Sequence, residues 1–208
     1  MREYWNGRFE REGRVWGISP SRTAEHAAEL FRRQAVRRIL VPGAGYGRNA
    51  NYLYQAGFAV DGIEIAPTAL ALAAEDNPGV RYFAGSVLDM PYSDDIYDAI
   101  YCFNVLHLFR RAERELFLRK CFDQTKTGGL LYFTVFSERE PSFGRGPEVE
   151  SSTFESKPGR PVHYFTEADL MEHFPNSRVL AAGLAEDAEN HGEEGPHVHI
   201  VRYICVQK

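Results

Sequence analysis

The stretch LVPGAGYGRN, residues 40–49, decides how the rest of the chain is read. It begins inside an apolar run, RRILVPGA (37–44), and passes into a helical pattern, GRNANYLYQAG (47–57), that stops at Gly57. Gly43 and Gly45 let the backbone turn sharply and approach a ligand, and Gly47 permits close packing where the helix starts. The spacing is GxGxG, with Arg48 where a dinucleotide-binding GxGxxG loop has its third glycine. An acidic residue, Glu64, closes the next apolar run, seventeen residues after Gly47. A carboxylate there can accept both hydroxyls of a ribose.

Outward from this turn, strand-like and helical patterns alternate. AVDGIEI (59–65) is a strand; APTALALAAED (66–76) is a helix with Pro67 near its start, where a missing N–H costs little. VRYFAGS (80–86), YDAIYCFN (97–104) and GLLYFTVFS (129–137) are further strands. RAERELFLRKCFDQT (111–125) is an amphipathic helix closed by Gly128 and Gly129. Such alternation predicts βαβ units and a parallel sheet with helices on both faces. Before the core, 19–33 has the pattern of a helix with Ser19 as N-cap and Pro20 at its first position. After it, 138–161 is long, polar and rich in Gly, Pro and Ser, the pattern of a functional or irregular loop. TEADLMEHF (166–174) starts like a capping box, and RVLAAGL (178–184) and HIVRYICVQ (199–207) are two closing strands.

A chain of 208 residues fits one domain. The expected division is a single domain over 1–208, with an N-terminal lid and helix (1–35), a ligand-binding core (36–137), an insertion (138–165) and a closing helix and β-hairpin (166–208). The net charge of −5 argues against nucleic acid or an anionic membrane as partner. No apolar run approaches the roughly 20 residues of a bilayer span. The scattered cysteines Cys102, Cys121 and Cys205 lack CxxC spacing, and with no signal-peptide pattern a cytoplasmic setting is expected.

The ordered series VPGAGYG (41–47), GIEI (62–65) and AGSVLDMPYSDDIYDAIYCFNVLHLF (84–109) resembles the class I S-adenosylmethionine (SAM)-dependent methyltransferases. GYGRN (45–49) is similar to the tellurite-resistance members. YWNGRFEREGRVWGISPS (4–21) is similar in layout to the thiopurine, thiol and halide members. The resemblance implies a Rossmann-like fold: a seven-stranded, mostly parallel sheet with an antiparallel last strand. It implies SAM as cofactor, with S-adenosylhomocysteine (SAH) as product and a small molecule as acceptor. The backbone of Gly43, Ala44, Gly45, Tyr46 and Gly47 would wrap the methionine part of SAM. Glu64 would take the ribose hydroxyls and Ile65 the adenine face. Ser86, Val87 and Leu88 would line the adenine edge; Phe103 and Asn104 would face the methionine amino group; Trp16 would lie close to SAM. Pro42 and Ser86 depart from the family, many of whose members carry acidic residues there. The alternatives are an NAD(P)-dependent oxidoreductase, against which Arg48 speaks, and a non-catalytic SAM-binding protein.

The stretch EDAENHGEEGPHVH (186–199) holds three of the seven histidines. Between a sixth and a seventh strand it is expected as a hairpin loop, about 185–197, on the active face. A substrate site, a metal site and a plain solvated loop all remain open. His197 and His199 form an HxH pair, but no close-spaced motif completes a ligand set and no metal is expected. Methyl transfer by in-line displacement needs aligned reactants above all. A hydroxyl acceptor would also need a base, for which His107, His191 and His197 are the candidates. A thiolate or other chalcogen anion would need none.

Overall fold

The computed structural model describes residues 1–190 and 196–208. Its main sheet has seven strands: β1 (Arg38–Pro42), β2 (Ala59–Glu64), β3 (Arg81–Ala84), β4 (Tyr97–Phe103), β5 (Thr125–Phe136), β9 (Arg178–Asn190) and β10 (Pro196–Gln207). The order is β3-β2-β1-β4-β5-β10-β9. The first five are mutually parallel, and β10 runs antiparallel between β5 and β9. This is the seven-stranded sheet with an antiparallel last strand that the resemblance implies.

Strand residues alternate between two cores. Ile39, Val41, Ala99, Tyr101, Leu130 and Tyr132 face α2 (Arg22–Arg33) and α3 (Arg48–Gln55). Leu40, Ile100, Cys102, Leu131, Phe133 and Val135 face α5 (Arg111–Asp123) and α6 (Glu167–Glu172). Both faces are therefore buried, which is why these strands are near-continuous apolar runs. α1 (Arg2–Glu12) lies against α4 (Pro67–Asp76), where Phe9 and Val15 pack with Tyr46, Ala66 and Ala69. No helix among the described residues is long and apolar enough to cross a membrane.

Four boundaries differ from the sequence-based expectations. Ser21, not Ser19, caps α2: its hydroxyl accepts from Ala24 N at 3.3 Å, so the helix starts after Pro20 rather than with it. Gly128 and Gly129 do not close α5 but lie inside β5, where the register slips between Tyr97 and Ala99. The extra residues bulge out there, and a side chain at Gly129 would meet Asp98 O at 2.8 Å. The insertion is not an irregular loop. It folds into a three-stranded antiparallel sheet of β6 (Glu148–Glu150), β7 (Thr153–Lys157) and β8 (Arg160–His163). Its turns sit at Ser152 and Gly159, both with positive φ. The expected hairpin loop is mostly strand: β9 and β10 stay paired out to Asn190 and Pro196, with His199 opposite Asp187.

Candidate active site at the carboxyl ends of the strands

The strand order reverses at β1, between β2 and β4, so the carboxyl ends of these strands diverge around a crevice. A cavity of about 1170 Å³ opens there, running from the glycine loop to the β5–β10 edge. Gly43, Gly45 and Gly47 have φ of 70°, 58° and 86°, left-handed backbone that side chains disfavour. The Gly43 and Ala44 N–H groups donate to Ile63 O at 2.8 and 2.9 Å, which ties the loop to β2. A Cβ at Gly43 would come within 2.3 Å of the Val105 side chain.

Glu64 is buried at the end of β2 and accepts three backbone N–H groups: Gly45 at 2.9 Å on one oxygen, Ile65 and Ala66 at 2.8 Å on the other. Burial pushes its carboxyl above the usual carboxylate range, against the pull of those three donors. A carboxylate offers about four acceptor positions, so one remains, on the oxygen that Gly45 holds. Asn104 follows β4 with φ 54° and lines the same cavity. Its N–H is held by Thr134, while its buried Oδ1 has no hydrogen-bond partner. A spare carboxylate acceptor and an orphaned amide oxygen in one crevice match a ligand carrying a hydroxyl and an ammonium donor, as SAM does.

Trp16, Ala44, Tyr46, Ile65, Val87, Leu88 and Phe103 complete this half of the lining. Trp16 stacks on Tyr46 at 5.9 Å, and the Tyr46 hydroxyl donates to Gly17 O at 2.7 Å, which pins the segment after α1 to the glycine loop. The Arg48 guanidinium lies over Trp16 and Phe103, at 5.9 and 5.3 Å from the ring centres. The Ser86 hydroxyl accepts from Leu88 N at 3.2 Å, so it caps the turn at 87–89 and has its proton left to donate. Gly47 sits at the start of α3, where close packing is expected. It lies outside the main cavity, and a Cβ there would meet Tyr82 Oη at 2.5 Å and Ala73 Cβ at 3.1 Å; its smallness serves packing of α3 and α4.

The far half of the cavity is lined by Val105, Leu108, Phe109, His107, Phe136, Glu140, His197 and His199. His107 is buried and stacks on Phe136 at 4.1 Å, and its Nδ1 accepts from Phe136 N at 3.4 Å. Burial holds its pKa well below the ordinary histidine value, so it is neutral and weakly basic. His199 stacks on the same phenyl ring at 4.9 Å. Glu140 Oε1 lies 2.9 Å from His199 Nδ1 and 3.9 Å from His197 Nε2, and its Oε2 accepts from Ile200 N at 2.8 Å. The structure thus brings His107 and His197 to one wall; His191 lies outside the described residues. Sequence reasoning missed Glu140 and Phe136 as lining residues. The signal for Glu140 was an acid just beyond the carboxyl end of a core strand.

Residues 40–133 match the family described as a methyltransferase domain. The chain is similar in structure to the protein solved in work on conversion of a disulfide bond into a thioacetal group during echinomycin biosynthesis. Its TM-score is 0.78 at 15% identity, over 100% of this chain and 91% of that one. It is similar to 1,6-didemethyltoxoflavin-N1-methyltransferase from Burkholderia thailandensis, solved with 1,6-didemethyltoxoflavin and SAH. That TM-score is 0.71 at 18% identity, over 100% and 86% of the two chains. TehB from Haemophilus influenzae gives 0.67 at 16% identity, over 98% and 67%. A search of the curated proteins gives no match. Strand order and crevice define the class I methyltransferase fold. With the match over residues 40–133, the chain carries a methyltransferase domain on the fold of SAM-dependent methyltransferases.

Proposed function

We propose that the enzyme methylates a small-molecule acceptor, a thiol or another chalcogen nucleophile, held between Phe109, Phe136 and the Glu140, His197 and His199 side chains. The observation that carries this reading is the two-part cavity. Its volume, about 1170 Å³, exceeds the range of roughly 300–1,000 Å³ usual for one ligand. The near half fits SAM: Glu64 toward a ribose hydroxyl, Asn104 Oδ1 toward the amino group, Ile65, Val87 and Leu88 along the adenine, Trp16 and Tyr46 as cover.

Bound SAM supplies a sulfonium methyl; the acceptor's lone pair forms the new bond to carbon, and the old bond's electron pair passes to the sulfur of SAH. The chain's task is alignment and exclusion of water. Phe136 and Phe109 give the far half an apolar floor, which suits a soft, weakly hydrated nucleophile. Burial lowers the basicity of His107, which counts against it as the base for a hydroxyl acceptor. The thioacetal chemistry named for one structural relative also supports a sulfur acceptor. The domain division of 1–208 fits this reading, with 1–35 and the 138–165 insertion contributing walls to both halves.

The test is a panel of thiols, selenols, hydroxyls and amines incubated with methyl-labelled SAM. Transfer to sulfur or selenium acceptors, and little to hydroxyls, is expected. Transfer confined to hydroxyl or amine acceptors would overturn the acceptor class.

A further inference from the structure

We propose that Glu140, His197 and His199 form a mononuclear site for a divalent first-row metal ion of the zinc class, with an open position facing the acceptor half of the cavity. The inference deepens the reading above and rests on it for the role of the open position, but not for the metal itself. The ligand atoms of these three side chains all lie within 4.8 Å of one another. All three residues line the cavity.

The geometry is close to what a small ion needs. Nitrogen and carboxylate oxygen bind zinc at about 2.0–2.2 Å, which puts tetrahedral ligands roughly 3.4 Å apart. Two separations bracket that value: 2.9 Å from Glu140 Oε1 to His199 Nδ1 and 3.9 Å to His197 Nε2. The adjustment falls on the side chain best able to make it. His197 is 44% exposed, whereas the other two are fixed: Glu140 is 1% exposed in its side chain, and His199 is stacked on Phe136. Ile200 N, donating to Glu140 Oε2 at 2.8 Å, orients the carboxylate as a supporting hydrogen bond orients a metal ligand.

Topology explains how the set arises. His197 and His199 are two apart on β10 and so share a face of the strand. Glu140 follows β5, the neighbour of β10, and its carboxylate reaches that face. A buried carboxylate beside two imidazoles is costly without a cationic partner, and a metal ion or a protonated imidazole would each supply one. Among the described residues the donor set is two nitrogens and one oxygen, which leaves a fourth position for a substrate atom. Its natural occupant is the acceptor's sulfur or selenium, because a coordinated thiol gives up its proton to water and is held as thiolate at neutral pH.

The experiment is a cobalt(II) and zinc(II) titration of the untagged, chelator-treated full chain, followed by calorimetry and by the visible absorption of cobalt. The variants are Glu140→Gln, His197→Ala and His199→Ala, with SAH titrated in parallel. One equivalent of metal is expected, with tetrahedral cobalt bands that shift on adding a thiol. Each substitution should weaken metal binding by about 100-fold or more, the upper end of what supporting residues alone cost. SAH affinity should hold within about twofold, since the three side chains lie in the other half of the cavity. His197→Ala, at an exposed position, keeps the test valid if either buried variant unfolds. Absence of stoichiometric metal in a wild-type protein that binds SAH would overturn the site and favour an imidazolium–carboxylate pair. Metal binding indifferent to all three substitutions would equally overturn it. Failure of SAH binding with the metal response intact would instead overturn the methyl-transfer reading and leave the metal site standing.

Discussion

Glu64→Gln is the most informative change in the cofactor half, because its outcome follows from the three hydrogen bonds the carboxylate accepts. In the wild type one carboxylate oxygen takes Ile65 N and Ala66 N, and the other takes Gly45 N with one acceptor position to spare. Glutamine has one oxygen. Placed where two donors converge, that oxygen keeps both; the NH₂ then faces Gly45 N and can accept nothing from a ribose. The loss is one charge-assisted hydrogen bond to the ligand, about 1.5–3 kcal/mol, so SAH affinity should fall roughly 10- to 150-fold. Calorimetry with SAH measures this directly. The pH dependence adds a second readout. Burial raises the Glu64 pKa, so affinity should fall on acidification from a pH above the ordinary carboxylate range, and the variant should lack that step. The sign for stability is opposite to the usual carboxylate case. With a folded pKa above the unfolded one, ionising Glu64 between acid and neutral pH weakens the fold rather than strengthening it. A folded Glu64→Gln protein with wild-type SAH affinity and the same pH profile would refute the ribose role.

Asn104→Gly removes the orphaned Oδ1 while tolerating φ 54°, so SAH affinity should drop about tenfold or more with little change in Tm; unchanged affinity by calorimetry would count against the amino-group contact. Asp61 accepts from Arg38, Arg81 and Tyr97 at the amino ends of the strands, away from the cavity. Asp61→Ala should cost about 2–3 kcal/mol, below the range for wholly buried pairs because both guanidinium groups reach water, and lower Tm by roughly 4–12 °C in calorimetric scans while sparing SAH binding. A loss of SAH affinity there would mean that the two ends of the sheet are coupled.

The parts legible in the sequence share a cause: their signals are local. β1, β4 and β5 are buried on both faces and so are apolar runs, and Gly43 and Gly45 mark a turn that needs positive φ. Glu64 is recognisable because it sits at a fixed place on the strand after that turn. What escaped depends on contacts far apart in the chain. Glu140 reaches His199 across 59 residues, through the pairing of β5 with β10. The HxH pair was visible; its carboxylate was not, because no spacing links the two. The small sheet of the insertion was hidden by short strands, only three to five residues long, whose turns at Ser152 and Gly159 are dense in the polar and glycine residues of a loop. Extension of β9 and β10 past the expected ends was hidden likewise, since Glu186 to Asn190 is mostly polar sequence with no apolar run to mark a strand.

In the proposed arrangement one cavity holds SAM at the glycine loop and turns its reactive end toward the Glu140, His197 and His199 wall. A crystal structure of the full chain with SAH tests it most directly. Ribose hydroxyl density is expected at Glu64, the amino group at Asn104 Oδ1, adenine between Ile65 and Leu88, and the sulfur pointing into the space before Phe136 and Glu140. SAH bound with its sulfur turned away from that space, or bound elsewhere on the protein, would contradict it.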